Sequence, residues 1–346
     1  MSSQSEGLKT LRDFGERHLL RHIVPNYCSS SGDDCAVLNV GAYDLVVTTD
    51  PAPVPAAQIV GIDPDPYWLG WLLVIINSSD LAAAGAEPLG FLSALELPPE
   101  WPLDAFDRLL TGTRDACAAE GLAYVGGNLK EASRVSAIGT ALGLCPRGRA
   151  LSRRGAKLGD VLLSVGRGGL FWRDALLTLE GIGAVEKARS PLFAPRSQIA
   201  VMHRLAKRGI VHAAMDNSDG LLPTLDELAN ANGIGVTVNL ESLRVDRSEV
   251  NGVDAARLWL GWGDWNVLAA VEEDQVEAAV SIGHEVGVEI VPIGRFDTTV
   301  PGVTLARAGT SLPAPRLESE RFAADSWFTE GIQGYISRLL NVRLPG

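Results

Sequence analysis

Several features are scarce in this sequence, and their scarcity excludes whole classes of protein. Only four of the 346 residues are cysteine, without a C-x-x-C spacing or a neighbouring histidine, which excludes a disulfide scaffold or a zinc finger and predicts reduced thiols. Basic residues number 30 against 42 acidic ones, giving a net charge of −12. This balance argues against nucleic acid or an anionic membrane as the main partner.

Long hydrophobic runs and nucleotide-binding signatures are missing as well. The longest apolar stretch, residues 67–76, is too short to span a bilayer and predicts a buried helix. The chain opens on polar residues without a signal peptide, so we expect a cytoplasmic protein. It contains no Walker A sequence, no G-x-G-x-x-G after a strand and no kinase H-R-D set, which excludes those nucleotide-binding folds.

The length and the order of apolar segments predict two α+β domains. A chain of 346 residues is long for one hydrophobic core. A turn at residues 146–148 closes the first set of strands and helices, so we place domains at residues 1–146 and 147–310 and a Pro-rich, partly helical tail at 311–346.

Four short acidic motifs punctuate the chain, each beside an apolar or a helical segment. They are Gly32-Asp33-Asp34, Thr48-Thr49-Asp50, Asn77-Ser78-Ser79-Asp80 and Asp216-Asn217-Ser218-Asp219-Gly220. Oxygen ligands are what Mg²⁺ prefers, and scattered carboxylates that converge on substrate phosphates suit it. The four motifs together indicate a site for a metal and a nucleotide.

Each motif also has a plainer interpretation. Gly32-Asp33 is a favoured turn sequence, and Ser218 or Asp219 could simply cap the helix that follows. Asp50 ends a strand, which is a frequent place for functional residues. Asp80 lies within an intensely apolar stretch, where an unpaired charge is costly, so a metal is the favoured interpretation there.

The order of these motifs resembles the thiamine-monophosphate kinase family, in the superfamily of aminoimidazole ribonucleotide synthetase. The similarity extends over about residues 8–300 and includes Gly126-Gly127-Asn128 and the segment Arg149-Ala150-Leu151-Ser152-Arg153-Arg154-Gly155. It implies a two-domain α+β fold, with an N-terminal mixed sheet or half-barrel that pairs in a homodimer and a C-terminal α+β domain. It also implies ATP bound between the domains with Mg²⁺, and no nucleic-acid or membrane partner.

The resemblance assigns a role to each motif residue. It implies Mg²⁺ ligands at Asp33, Asp34, Asp50, Asp80 and Asp219, with Thr49, Asp216 and Ser218 completing the metal and phosphate shell. Asp50, Asp219 and Ser218 are the implied catalytic residues, and Gly126, Gly127, Asn128 and Arg153 the implied nucleotide-binding ones.

The sequence departs from the family pattern in three places, of which the first concerns the metal and nucleotide and the other two the acceptor. Asn128 replaces an aspartate of the family's Gly-Gly-Asp. Residues 51–58 contain no histidine and no cation where the family has Gly-x-His-Phe, and residues 261–267 carry two tryptophans where the family has Gly-Gly-Glu-Asp-Tyr-Glu-Leu. The nucleotide end is kept, whereas the acceptor end is rewritten.

Three functions remain open at this point. The first is an ATP- and Mg²⁺-dependent kinase whose acceptor is thiamine monophosphate or a different, more apolar small molecule. The second is a synthetase that uses ATP to phosphorylate an amide oxygen and so activates it. The third, motivated by Asn128 and residues 261–267, is a pseudo-enzyme that binds nucleotide without turnover.

Overall fold

Two mixed β-sheets organise the chain in this computed structural model. It describes residues 9–28, 32–182, 184–245, 250, 252–317, 321–322 and 327–346. The helices are α1 (Glu16–His18), α2 (Ala56–Ile59), α3 (Tyr67–Ala83), α4 (Leu103–Glu120), α5 (Leu170–Glu180), α6 (Ile199–Arg208), α7 (Leu221–Asn232), α8 (Ala255–Leu260), α9 (Val276–Glu285) and α10 (Trp327–Leu340). No helix in these ranges is long and apolar enough to cross a membrane. The predicted α+β class is confirmed.

The first sheet has five strands in the order β1-β2-β5-β3-β4, all antiparallel except the pair β3–β4. The strands are β1 (Ala36–Val40), β2 (Tyr43–Pro51), β3 (Glu87–Leu97), β4 (Ala123–Glu131) and β5 (Ser136–Pro146). Burial alternates strictly along β5, as expected of a sheet with one face against a core. Helices α3 and α4 pack together on that face.

The second sheet has seven strands in the order β12-β11-β8-β10-β6-β9-β7. The strands are β6 (Val161–Val165), β7 (Val211–Asp216), β8 (Gly235–Asn239), β9 (Val267–Val271), β10 (Ile290–Thr298), β11 (Gly302–Arg307) and β12 (Thr310–Pro313). The central strands β6 and β9 are buried along their whole length, so both faces of this sheet are covered.

Helix α3 joins the two halves of the chain. Its residues 72–83 are buried, because it contacts strands of the first sheet, α4 and α6, and also β7 and β9 of the second sheet. A helix enclosed on all sides is apolar all round, which explains the run of hydrophobic residues in this part of the sequence. The polar end of α3, residues 77–80, therefore lies between the two sheets.

Two predicted elements differ from the structure. The leucine spacing of residues 8–24 predicts one amphipathic helix. From residue 9 onward the structure instead shows a series of short turns, with 3₁₀ turns at Leu11–Asp13 and Val24–Asn26 on either side of α1 and a π-helical turn at Leu19–Ile23. Gly15, with φ of 75°, lies just before α1 and separates it from the first 3₁₀ turn.

The predicted C-terminal tail is not separate from the second sheet. Strand β12 crosses the expected boundary at residue 311 and pairs with β11, and α10 buries Tyr335 and Leu339 in the core beside that sheet. Strand β12 and helix α10 both carry apolar residues that must be shielded from water, and the second sheet covers them. The boundary at residue 146 stays a prediction.

Candidate active site

Three carboxylates from distant parts of the sequence converge between the two sheets. Asp34 precedes β1, Asp80 lies near the end of α3, and Asp216 ends β7. One oxygen of each lies within 4.8 Å of the others. We call these three residues the acidic cluster. Asp34 and Asp80 come from two of the motifs singled out in the sequence, and Asp216 from a third.

The polar end of α3 arranges this cluster. Asp80 accepts a hydrogen bond of 2.5 Å from the Thr48 hydroxyl, and Ser79 donates one of 2.8 Å to Asp216. Asn77 accepts from the backbone N–H of Asp50 at 3.0 Å, which fixes the end of β2 against α3. Helix α3 therefore carries the Asp80 carboxylate itself and holds Asp216 and Asp50 in position.

Burial and neighbouring carboxylates raise the pKa of every carboxyl in the cluster. For Asp80 the pKa is raised well above its usual value, first by burial and then by the charges of Asp216 and Asp50. Burial raises the pKa of Asp216 to about 7, and it raises that of Asp34 even though Arg153 acts in the opposite direction. Buried charges are expensive unless paired, so the cluster favours protons or a cation.

The donor set fits a hard divalent cation. Three carboxylates at this separation can each offer an oxygen to one ion, and hydroxyls of Thr48 and Ser79 already hold two of them in place. Asp34, Asp80 and Asp216 are the residues that would hold it. All three were predicted at the metal, Asp34 and Asp80 as ligands and Asp216 as part of the metal and phosphate shell.

Arg153 is the cationic partner of Asp34. Its guanidinium Nε lies 3.0 Å from Asp34 Oδ1 and a second guanidinium nitrogen contacts the same oxygen. The Asp34 side chain is 6% exposed, so this is a buried ion pair. Asp33 faces differently: it accepts hydrogen bonds from the Ser152 hydroxyl at 2.9 Å and from the Arg153 backbone N–H at 2.8 Å. Asp33 thus holds the segment that carries the arginine, and its predicted role as a ligand stays a prediction.

A pocket of about 170 Å³ opens directly beside the cluster. Asp80 and Asp216 reach it, and the structure brings Asp50, Ser218 and Asp219 to its wall, as the motifs indicated. Burial raises the pKa of Asp50, opposed by a hydrogen bond with Asp80. Ser218 donates at 3.2 Å to Asp216. All three predicted catalytic residues therefore share one cavity with two members of the cluster.

The two segments that depart from the family pattern both contribute to the pocket wall, together with Phe171 and residues 191–195. One side is formed by the proline-rich residues that follow β2, together with Trp68 on α3, and the other by Trp262, Gly263 and Trp265. Trp265 has φ of 56°, a left-handed backbone conformation that is unusual for a bulky side chain and occurs most often at functional sites. The wall is mostly apolar and aromatic.

Thr49 does not point toward the cluster. Its hydroxyl donates to the Gly139 carbonyl at 2.8 Å and lies 3.1 Å from that of Thr140. Successive side chains of a strand face opposite sides, so Thr48, not Thr49, shares a face with Asp50. The threonine that contacts the cluster is therefore the neighbour of the predicted one, and alternation along β2 could have identified it.

Gly126, Gly127 and Asn128 are not brought to the cluster within one chain. The sequence predicts that they end a strand, whereas they lie inside β4, the exposed edge strand. Gly127 pairs with Ser93 on β3, Ser93 pairs with Gly139 on β5, and Gly139 pairs with Asp50 on β2. Gly127 is therefore three strand spacings of about 4.8 Å away from Asp50. A Cβ at Gly127 would lie 1.7 Å from the Ser93 carbonyl oxygen, which explains that glycine by strand packing.

The sequence comparisons agree on one family. The models described as "AIR synthase related protein, N-terminal domain" and "AIR synthase related protein, C-terminal domain" match residues 32–145 and 157–303. The thiamine-monophosphate kinase of Halobacterium salinarum is 30% identical over 307 residues, covering 88% of this chain and 96% of the relative. That of Escherichia coli strain K12 is 30% identical over 290 residues, covering 80% and 87%.

Solved structures give the same result. Thiamine-monophosphate kinase from Stenotrophomonas maltophilia superposes with a TM-score of 0.68 at 27% identity, over 79% of this chain and 91% of that one. A structure titled "AaThiL complexed with AMPPCP and TMP" superposes with a TM-score of 0.74 over 88% and 97% of the chains, and at 23% identity it shows the fold alone. The predicted fold and the predicted kinase family are thereby confirmed. This chain belongs to the thiamine-monophosphate kinase family of the AIR synthase-related proteins.

Proposed function

We propose that this protein is a cytoplasmic, ATP- and Mg²⁺-dependent kinase that transfers the γ-phosphoryl group of ATP to thiamine monophosphate or to another small acceptor with an aromatic or apolar body. The single observation that carries the proposal is the acidic cluster, Asp34, Asp80 and Asp216, at the mouth of an apolar pocket. Such a juxtaposition can hold a metal-bound nucleotide beside an acceptor. The names of the curated relatives support the reaction type.

Phosphoryl transfer depends mainly on positioning and on stabilising charge, so no dedicated base is needed. A Mg²⁺ ion, when bound, would supply positive charge for the phosphates of ATP. Asp34, Asp80 and Asp216 would hold it, while Asp50 and Asp219 extend the carboxylates along the pocket wall toward the acceptor. Arg153 offsets part of the negative charge at Asp34.

The acceptor would bind between the proline-rich residues after β2 and the segment that holds Trp262 and Trp265. Aromatic side chains there offer large, flat apolar surfaces to a planar ring. Thiamine monophosphate has such rings and is named in the relatives, which makes it the first acceptor to test.

The test is acceptor-dependent ADP release from Mg-ATP by wild type and by Asp50→Asn and Asp219→Asn. Both substitutions keep the size of the side chain and remove a charge at the pocket wall, so we expect turnover to fall at least about a hundredfold with the fold intact. Asp297→Asn, an exposed carboxyl near the end of β10, serves as the matched control. Normal turnover by both pocket variants would refute the assignment.

The same assay separates the other two functions. Phosphate release with no phosphorylated acceptor would indicate the amide-activating synthetase. Nucleotide binding without turnover, unchanged by Asn128→Asp, would indicate the pseudo-enzyme.

We also propose that the protein forms a homodimer through the outer face of its first sheet. Apolar side chains on the two outer strands are exposed in the single chain, among them Leu38, Val40, Val125 and Leu129. Exposed apolar surface of this kind is typical of an interface. Light scattering should give twice the 36.7 kDa chain mass, and Leu38→Glu should reduce it to that of a monomer.

A further inference from the structure

The C-terminal helix α10 lies directly behind one wall of the pocket. The helix is broken at Gly331, which has a φ of 79°. In the helical segment after this break, the buried residues lie on one face. Tyr335 and Leu339 on that face are fully buried, and Ile336 is nearly so. Among the described residues these three join the core formed by α5, α7 and α8.

Tyr335 is in contact with the aromatic side chains that form this wall. Its ring stacks on Trp172, with centroids 5.3 Å apart and planes at 30°, and lies 5.9 Å from the ring of Trp262. Trp262 in turn lies 5.0 Å from Phe171, and both Trp262 and Phe171 line the pocket. One tyrosine therefore supports the aromatic wall from behind.

Tyr335 also fixes the backbone of that wall. The backbone N–H of Trp262 donates a hydrogen bond to the Tyr335 hydroxyl, and burial raises the pKa of that hydroxyl, so it stays neutral at ordinary pH. Next to it, a Cβ at Gly261 would lie 2.1 Å from the Trp172 indole nitrogen, so only glycine lets the two layers pack this closely. The position of Trp262 is thus set by one hydrogen bond and by close packing.

Helix α10 lies beyond the part of the chain that defines the family. The C-terminal family model ends at residue 303, whereas Tyr335 is 32 positions further on. Among the described residues, the acidic cluster and Arg153 on the nucleotide side of the site come from residues 34–216 and not from α10.

We propose that Tyr335 is a positioning residue for the acceptor: through Trp262 it sets the aromatic wall that takes a flat apolar or aromatic part of the acceptor, and it leaves nucleotide binding untouched. The inference rests on the proposed function for the identity of the pocket's ligand. It makes acceptor preference depend on a helix outside the two family domains.

The test compares Tyr335→Phe with wild type and with Tyr124→Phe. Tyr335→Phe keeps the ring and removes only the oxygen that accepts from Trp262. Tyr124→Phe removes a hydroxyl of the same kind, 2.7 Å from the Ser93 hydroxyl in the first sheet and away from the pocket. The full chain is used in every case.

The first readout is hydrogen–deuterium exchange of residues 260–266 in the absence of any ligand. Loss of one neutral hydrogen bond should speed exchange of the Trp262 amide about fivefold in Tyr335→Phe, with residues 211–216 of β7 unchanged. Tyr124→Phe should leave both segments as in wild type. Unchanged exchange at Trp262 would overturn the proposal, whatever the enzyme's activity.

The second readout is the split between kinetic constants with Mg-ATP and thiamine monophosphate. We expect the acceptor KM to rise about fivefold in Tyr335→Phe, with kcat and the KM for ATP within twofold of wild type. A parallel loss in both KM values, or a fall in kcat alone, would indicate a merely structural tyrosine and overturn the proposal. If wild type itself turns over no acceptor, the proposed function fails, and exchange at Trp262 alone decides whether Tyr335 positions the wall.

Discussion

Asp80→Asn removes the charge of a buried side chain in the active site, and we expect this change to make the metal-free protein more stable. Asp80 lies within 4.8 Å of carboxylate oxygens of Asp34 and Asp216, and it accepts a hydrogen bond from the Thr48 hydroxyl. Two unit charges 4.8 Å apart repel by about 3 kcal/mol at an effective dielectric constant of about 20. Asparagine has the same shape, and its carbonyl oxygen can still accept from Thr48.

The gain should depend on pH in a defined direction. A carboxyl whose pKa is raised on folding binds more protons in the native state, so stability falls as pH rises from the ordinary pKa to the raised one. For Asp216 this window runs from about 4 to about 7, and the raised pKa of Asp80 changes stability in the same direction. At pH 8 with EDTA we expect Asp80→Asn to unfold about 3–4 °C above wild type, which corresponds to about 2–3 kcal/mol for a chain of this length. At pH 5, where the cluster holds protons, the gain should shrink.

Thermal unfolding followed by circular dichroism measures this, with EDTA and with Mg²⁺. Wild type should be stabilised by Mg²⁺ at pH 8, and Asp80→Asn much less, since it has lost a ligand. Asp254→Asn is the control of opposite sign: Arg307 lowers the pKa of Asp254, so its loss should destabilise the protein at pH 8. The reasoning would be refuted if Asp80→Asn were less stable than wild type in EDTA at pH 8. It would also be refuted if the gain in stability at pH 5 were as large as the gain at pH 8.

Three further predictions concern the same site. Thr48→Val should raise the Mg²⁺ concentration needed for half-maximal turnover about tenfold, because it removes a donor to a buried carboxylate, while Thr49→Val should change it less than about twofold. Arg153→Met should lower the free energy of unfolding in urea by about 3–5 kcal/mol by leaving a buried carboxylate unpaired, whereas Arg154→Met, 61% exposed, should cost less than about 0.5 kcal/mol. Calorimetric Mg²⁺ affinity should rise as pH increases from 6 to 8, because Asp216, with a pKa of about 7, and Asp80, whose pKa is also raised, must lose their protons to hold the ion, and a flat profile would contradict their role as ligands.

The sequence predicted those parts of the fold whose signal is local. The buried helix predicted around residues 67–76 is found as α3, whose apolar run leads directly into the polar residues 77–80. The same logic identified Asp80, since a carboxyl in that run needs a partner. The N-terminal segment was predicted as one helix from its leucines, but Gly15 and Pro25 divide it into short turns.

The remainder of the site depends on contacts between distant residues. Asp34 and Arg153 are 119 positions apart, and nothing in either motif indicates that they form a pair. The contact of Tyr335 with Trp262 likewise joins the C-terminal helix to the segment before β9, which no local pattern reveals. By contrast, the choice of Thr49 over Thr48 could have been corrected from alternation along β2 alone.

The central claim is that this chain moves a phosphoryl group from ATP to a small acceptor. A phosphorus NMR time course with purified protein, Mg-ATP and thiamine monophosphate, beside a sample without acceptor, tests it most directly. The account predicts ADP together with a new diphosphate signal of the acceptor, absent in the acceptor-free sample and in Asp219→Asn. ATP consumed to phosphate with no phosphorylated acceptor, or ATP left intact with every acceptor tried, would contradict it.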